Sequence, residues 1–166
     1  INTAFVRGQV YFERDVLAPN LESLNVQGFK YEGYAARISD MRSYFNENMK
    51  LLDDENLDAL FSGNPIYTKI RDDNPTRYIS GSEASNVMVA DGCVIEGHVE
   101  NSILFRGVKV AKGAVVKNCI LMQDTVIEED ARVDYTITDK KVVISSGKEM
   151  KGADTFPLYI AKGHRV

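Results

Sequence analysis

The sequence predicts a mainly β chain, in which a short α/β segment leads into a parallel β-solenoid over residues 81–166. Three observations predict it. An aliphatic residue is followed three places later by Gly or Asp in five runs, which start at Val89, Val110, Ile127, Ile144 and Ile160 and are spaced by 21, 17, 17 and 16 residues. Asn101-Ser102-Ile103 returns as Asn118-Cys119-Ile120 and, more loosely, as Tyr135-Thr136-Ile137, each 17 residues on. Between these marks the apolar runs are short and rich in Val and Ile, and Gly, Asp, Asn and Lys separate them. A fixed period of this length is the signature of stacked coils, and runs too short for a helix but rich in β-branched residues suit strands.

A coil of three short strands and three turns takes about 18 residues, and stacked coils hydrogen-bond about 4.8 Å apart with equivalent side chains in ladders. One ladder is expected at Val89, Val110, Ile127, Ile144 and Ile160. A second is expected at Cys93, Ala114 and Ala131, where a corner admits only a small side chain. The longer first step predicts about four extra residues, as a protruding loop around Gly97-His98-Val99-Glu100. A β-sandwich of short strands is disfavoured because sandwiches keep no ladder period.

Ahead of the solenoid the chain opens on Ile1 and reads as though it starts mid-fold. Gln9-Val10-Tyr11-Phe12 is strand-like. A short helix is expected around Arg14–Leu24 with a turn or break at Pro19, and residues 26–36 read as extended. Ser39 is a plausible N-cap. After it, Met41, Tyr44, Phe45, Met49 and Leu52 keep helical spacing and predict an amphipathic helix to about Leu52. A second helix is expected at 55–61, capped by Asp53 or Asp54. Gly63-Asn64-Pro65 ends it, and Asp72-Asp73-Asn74-Pro75 marks a connector. The expected organisation is thus 1–62, a linker at 63–80, and the solenoid at 81–166.

Composition narrows the function classes. With 166 residues and 44% apolar content the chain can bury one good core or two small ones. A net charge of −4 with both signs interspersed points away from nucleic acid and anionic membranes. No apolar stretch approaches the ~20 residues of a membrane span and no signal peptide opens the chain, so a cytoplasmic setting is the expectation. Two cysteines 26 residues apart and two scattered histidines give no zinc spacing, and the cysteines read as packing residues of a reducing compartment.

Several words of the sequence resemble a known family. Tyr31-Glu-Gly-Tyr34, followed by Ser43-Tyr44-Phe45 and Asn48-Met49-Lys50-Leu51, resembles the end of the catalytic domain of glucose-1-phosphate adenylyltransferases (ADP-glucose pyrophosphorylases). Asn64-Pro65-Ile66-Tyr67-Thr68-Lys69-Ile70-Arg71-Asp72 is similar to that family's interdomain linker. The stretches 95–110 and 118–126 are similar to its C-terminal β-helix. The resemblance covers residues 31–163. It implies a left-handed parallel β-helix of hexapeptide type, preceded by the α/β tail of a nucleotidyltransferase domain. The family reaction it implies is ATP plus glucose 1-phosphate giving ADP-glucose and pyrophosphate with Mg²⁺, in glycogen synthesis. Positioning and charge neutralisation carry such chemistry.

The departures from the family pattern matter as much. The Trp that follows Gly-Tyr is Ala35 here, and the metal-ligating Asp two places on is Arg37, which cannot hold Mg²⁺. A shifted register would put Asp40 in that column instead. The Gly-rich nucleotide loop of the family has no counterpart in the sequence. The chain as given is therefore expected to lack catalytic residues and a metal of its own, with Mg²⁺ belonging to the family reaction only. Arg37 resembles the second, catalytically weak subunit type that pairs with a catalytic one in some bacteria. The resemblance implies a catalytic adenylyltransferase subunit, or a second copy of the chain, as partner through the β-helix, and hence an oligomer.

Three groups of residues bear on a site. Gly33, Tyr34 and Arg37 are candidates for a remnant of the sugar pocket, although Tyr34 can equally pack a domain edge. Lys69, Arg71 and Arg77 can take an anionic effector, against the plainer reading of a solvated linker face. His98 is the one residue that would suit a hexapeptide acyltransferase, as a general base, against a solvated loop histidine. The run Asp53-Asp54-Glu55 sits where a helix dipole favours acidic residues rather than a metal.

Overall fold

The computed structural model describes residues 2–63, 66–68 and 72–166. The chain divides after Gly33 into two compact units.

The first unit holds a short helix α1 (Asn2–Val6), a π-helical turn at Phe12–Leu17 and a 3₁₀ turn at Ala18–Asn20 that begins beside Pro19. None of its described residues is buried. The strand expected at residues 9–12 does not form. An isolated strand leaves its N–H and C=O groups without partners, and here Asp15 takes the N–H groups of Val10 and Tyr11 at 3.1 and 3.0 Å, turning the chain into helix. Residues 26–33 are irregular.

The second unit begins with helix α2 (Met41–Met49), which runs on into a 3₁₀ turn at Lys50–Leu52, as the apolar spacing predicts. Its cap is Asp40, one place after the expected Ser39. The Asp40 carboxylate accepts from Ser43 N–H at 2.6 Å, while Ser43 Oγ accepts from the Asp40 N–H at 3.0 Å, a reciprocal box that satisfies two orphan donors. Helix α3 (Asp54–Phe61) is capped by Asp53, whose carboxylate accepts from Glu55 N–H at 3.0 Å. Acidic residues there serve the helix start.

From Arg77 the chain winds into a parallel solenoid with three faces. The first face stacks β1 (Arg77–Tyr78), β3 (Val94–Ile95), β5 (Lys109–Val110), β8 (Val126–Ile127) and β11 (Val143–Ile144). The second and third faces share the long strands β2 (Glu83–Val89) and β4 (His98–Leu104), each of which turns a corner. The second face continues with β6 (Val115–Lys117), β9 (Arg132–Asp134) and β12 (Glu149–Lys151). The third continues with β7 (Ile120–Leu121), β10 (Thr136–Thr138) and β13 (Leu158–Ile160). All strand pairs are parallel.

The corners need a left-handed backbone, and glycine or a short polar residue supplies it at most of them. One corner carries Asn86, Asn101, Asn118 and Tyr135, with φ of 53, 44, 49 and 45°. Ser102, Cys119 and Thr136 follow it inside, all fully buried, and Ser102 Oγ accepts from the Cys119 N–H at 3.0 Å. Two further corners carry the Gly or Asp of the aliphatic-x-x-Gly runs, which is why that pattern is so visible in the sequence.

The predicted period is present, but the ladders are composed differently. Ile95, Val110, Ile127 and Ile144 stack on the first face, and Val89, Leu104, Leu121, Thr138 and Ile160 on the third. Val89 and Ile160 thus belong to another side from Val110. Two of the three corners carry the same four-residue signature, so a count from Val89 to Val110 spans a coil plus one side. Likewise Ala114 and Ala131 share a corner, while Cys93 sits at a different one, level with Val108. The loop expected around Gly97 is a contraction. Val115 comes five positions after Val110, but its rung neighbour His98 comes only three positions after Ile95. A side chain at Gly97 would strike the carbonyl oxygens of Ala114 and Ala111, so only glycine closes this tight turn. The extra residues lie instead at 152–157, between β12 and β13.

Side chains pointing inward on the three faces make one continuous core that includes Ile95, Val99, Leu104, Val110, Val116 and Leu121. Side chains pointing outward on the third face do not meet water either. Ile120 and Ile137 are fully buried beneath Phe45 of α2, with Tyr135 and Met122 at the margin. The helix and the solenoid therefore share a second apolar cluster.

Candidate functional site

Of the residues proposed for a sugar-pocket remnant, Gly33 closes the first unit, and a side chain there would run into the Tyr31 ring. Tyr34 is half-buried, and its hydroxyl donates to Glu47 Oε2 at 3.0 Å. Glu47 Oε1 in turn accepts from Lys50 Nζ at 2.7 Å. Desolvation, then the Glu47 carboxylate, pushes the Tyr34 phenol above its usual range. The Lys50 ammonium is the main cause that holds Glu47 below the usual carboxylate range. Tyr34 is thereby tied to α2. Arg37 is exposed in the irregular segment that leads into that helix.

These residues do not fit a Mg²⁺ site. Arg37 is a cation, and the Asp40 carboxylate is committed to the start of α2. Among the described residues no group of three or more His, Cys, Asp or Glu side chains is arranged to hold a metal ion.

Lys69 and Arg71 lie outside the described residues. Arg77 is an exposed residue of β1, in the first rung of the solenoid, with its N–H donating to Cys93 O at 2.9 Å. It is a ladder position, not a connector residue.

His98 is likewise in a strand, not a loop. Its Nδ1 lies 3.0 Å from Glu83 Oε2 and its Nε2 3.5 Å from Glu100 Oε2. Lys117 Nζ sits 2.7 Å from the same Glu100 oxygen. Strands β2, β4 and β6 thus contribute one charged network across three rungs. Both imidazole nitrogens face carboxylates, Nε2 at the long end of hydrogen-bond reach, so the ring is engaged within the solenoid's own charge network. Glu100 is held below the usual carboxylate range, by Lys117 first and then by His98.

The contraction at Gly97 opens a cleft of ≈ 780 Å³ beside this network, and Glu83, Glu96, Lys112 and Asp130 contribute to its walls. Carboxylates dominate it, so it offers no cradle for phosphate. The sequence signal for the cleft is the missing pair of residues before His98, which the long first step of the repeat disguises as an insertion. Both cysteines are free and buried. Burial pushes the Cys119 thiol up to about 12, which makes it a poor nucleophile.

Residues 70–155, over half of the chain, match the family described as GlmU-like, C-terminal hexapeptide. The chain belongs to that family. The match agrees with a left-handed β-helix, and the GlmU-like hexapeptide solenoid carries the charged network, the contraction and the helix-covered face just described. Among curated proteins, the chain is 43% identical over 142 residues to glycogen biosynthesis protein GlgD of Bacillus subtilis (strain 168), which covers 85% of this chain and 41% of that protein. It is 53% identical over 70 residues to GlgD of Geobacillus stearothermophilus, covering 42% of this chain and 20% of the relative. Glucose-1-phosphate adenylyltransferase of the same organism is 39% identical over 108 residues, or 64% of this chain and 28% of that enzyme. The chain thus spans about two-fifths or less of the length of these relatives. No helix among the described residues is long and apolar enough to cross a membrane.

Proposed function

We propose that this chain is the C-terminal part of a cytoplasmic glycogen-biosynthesis subunit that regulates or assembles an adenylyltransferase and does not itself turn over substrate. The observation that carries this reading is its 43% identity to GlgD of B. subtilis over 85% of its length. Arg37 and the engaged Asp40 support it, because neither suits a metal in the position where the family reaction needs one. In this reading residues 1–62 are the end of a nucleotidyltransferase domain, 63–80 are the linker, whose Arg77 and Tyr78 already form the first rung of the solenoid, and 81–166 are the rest of the hexapeptide β-helix. The partner is a catalytic adenylyltransferase subunit or a second copy of the chain, met through the β-helix. Mg²⁺, ATP and glucose 1-phosphate belong to the catalytic subunit. Gly33, Tyr34 and Arg37 are then a vestige of the sugar pocket. Lys69, Arg71 and Arg77 are the cations to examine for an anionic effector. The acyltransferase alternative is not favoured, since His98 is enclosed by Glu83 and Glu100.

The test is pyrophosphate release from Mg-ATP and glucose 1-phosphate by the whole protein, alone and mixed with a catalytic subunit from the same cell. No release alone, with a changed rate or effector response in the mixture, is the expected result. Robust turnover by the protein alone would sink the reading.

A further inference from the structure

The three outer faces of the solenoid are finished differently. The third is covered by α2 through Phe45. The second is a solvated surface on which Glu100 pairs with Lys117 and His98 with Glu83 at the upper rungs, while Arg132, Glu149 and Lys151 at the lower rungs stand exposed in water. The first is neither covered nor fully paired. Its outward side chains form two columns. One column reads Arg77, Val94, Lys109, Val126 and Val143 from the first rung to the fifth. The other, two positions further along the chain, includes Glu96, Ala111 and Glu128 on rungs two to four, whose N–H groups donate to the carbonyls of Val110, Ile127 and Ile144.

The three valines are half-buried, Val126 and Val143 adjacent and Val94 set off from them by Lys109. At the lower end of this face the charges are satisfied within the chain, since Glu128 holds Arg165 at 2.7 Å and accepts from the Ser146 N–H at 3.1 Å. At its upper end they are not. Among the described residues the side chains of Arg77, Lys109 and Glu96 are exposed and make no ion pair or hydrogen bond. A groove of ≈ 570 Å³ runs along this face past Val94, Val110 and Val126.

We infer that the first face of the β-helix is a docking surface for the same face of a second copy of this chain, related by a two-fold axis parallel to the solenoid. Such an axis lays the cationic column of one copy on the acidic column of the other with rungs in parallel order. Glu96 on rung two then sits between the partner's Arg77 on rung one and the partner's Lys109 on rung three, and symmetry doubles both contacts. An axis perpendicular to the solenoid would set the cationic columns against each other instead. Self-complementarity of this kind is what an isologous pair requires, and rim charges fix its register. Five rungs about 4.8 Å apart make a patch smaller than the ~800 Å² per partner of a standard interface, so the contact is weak and loosened by salt.

This inference rests on the oligomeric reading above, with the second copy as partner. The experiment is sedimentation of the whole protein at low and high salt, with Lys109→Glu and Glu96→Lys variants run singly and mixed. Each variant alone places like charges face to face and should sediment as a species one assembly step smaller. In the mixture the two reversed side chains oppose each other with complementary sign, and the unaltered Lys109 of one copy still meets the unaltered Glu96 of the other. One like-charge contact stays, between Arg77 of one copy and the substituted position 96 of the other, so the mixture should assemble more than either variant alone and recover the wild-type species in part at low salt. Circular dichroism of each variant verifies folding, since both positions are exposed. A wild-type oligomer that neither variant weakens, or a mixture no more assembled than either variant alone, overturns the docking face while leaving the oligomeric reading intact. A wild-type monomer at every concentration overturns both.

Discussion

Gly97 shows how much one residue decides in this chain. Its turn is short enough that a methyl group would meet two backbone carbonyls, and backbone cannot step aside as a side chain can. Gly97→Ala should therefore cost about 1–3 kcal/mol, the range of overpacking in a tight site, read as a lowered midpoint in urea with an unchanged m-value. Glu100 carries a prediction about pH. Its folded pKa lies below the ordinary 4.5, with Lys117 as the largest cause. The Glu100 contribution to stability is thus present above pH 4.5 and is lost as pH falls through the lower folded value. Lys117→Met should flatten that acid limb by lowering stability above pH 4.5 while leaving it unchanged at the acid end, where Glu100 is protonated in both proteins, measured by urea melts across pH. The network is exposed enough that the wild-type effect should also shrink in high salt.

At the scale of elements, the helix-covered face is the one the sequence conceals. The spacing of Met41, Tyr44, Phe45 and Met49 announces an amphipathic helix, but nothing in it says that the apolar stripe meets Ile120 and Ile137 on the outside of the solenoid. Phe45→Ala should cost about 3–5 kcal/mol and should raise amide exchange in α2 before it does so in the strands. The period of the coils is legible because stacking repeats the same chemical demand every turn: a left-handed corner wants Gly, Asn or Asp, and an inward position wants Val or Ile. Which corner a given Gly occupies is not legible, since two corners make the same demand. Hence counting along the repeat puts Val89 on the wrong side and turns the contraction at Gly97 into an insertion. The α2 cap falls one residue late for a similar reason, because Ser39 and Asp40 are both good caps and only the Ser43 box distinguishes them. The candidate site is less legible still. Arg37 and Asp40 can be judged against a metal by charge, but the enclosure of His98 by Glu83 and Glu100 depends on strands 15 residues apart.

For the whole molecule, a stack of coils is close to one-dimensional, and each rung answers mainly to its neighbours. A deletion in the middle should therefore weigh more than one at the end. Ile127→Ala, fully buried with a rung on either side, should cost about 2–5 kcal/mol. Met150→Ala, half-buried on the terminal rung of the second face, should cost visibly less in the same urea assay. A large effect at both positions would mean that the stack melts as a single block rather than from its ends. The shared signature of two corners has a further consequence during folding. A coil that lands one side out of phase still finds an aliphatic residue for the core and a glycine for the bend, so the mistaken stack is a near-degenerate competitor, a case of local frustration in a sequence otherwise consistent with its fold. The short turn at Gly97 and the seat for Phe45 each occur at one place in the repeat, and they act as the fiducial marks by which the growing stack can tell the true phase from its shifted double.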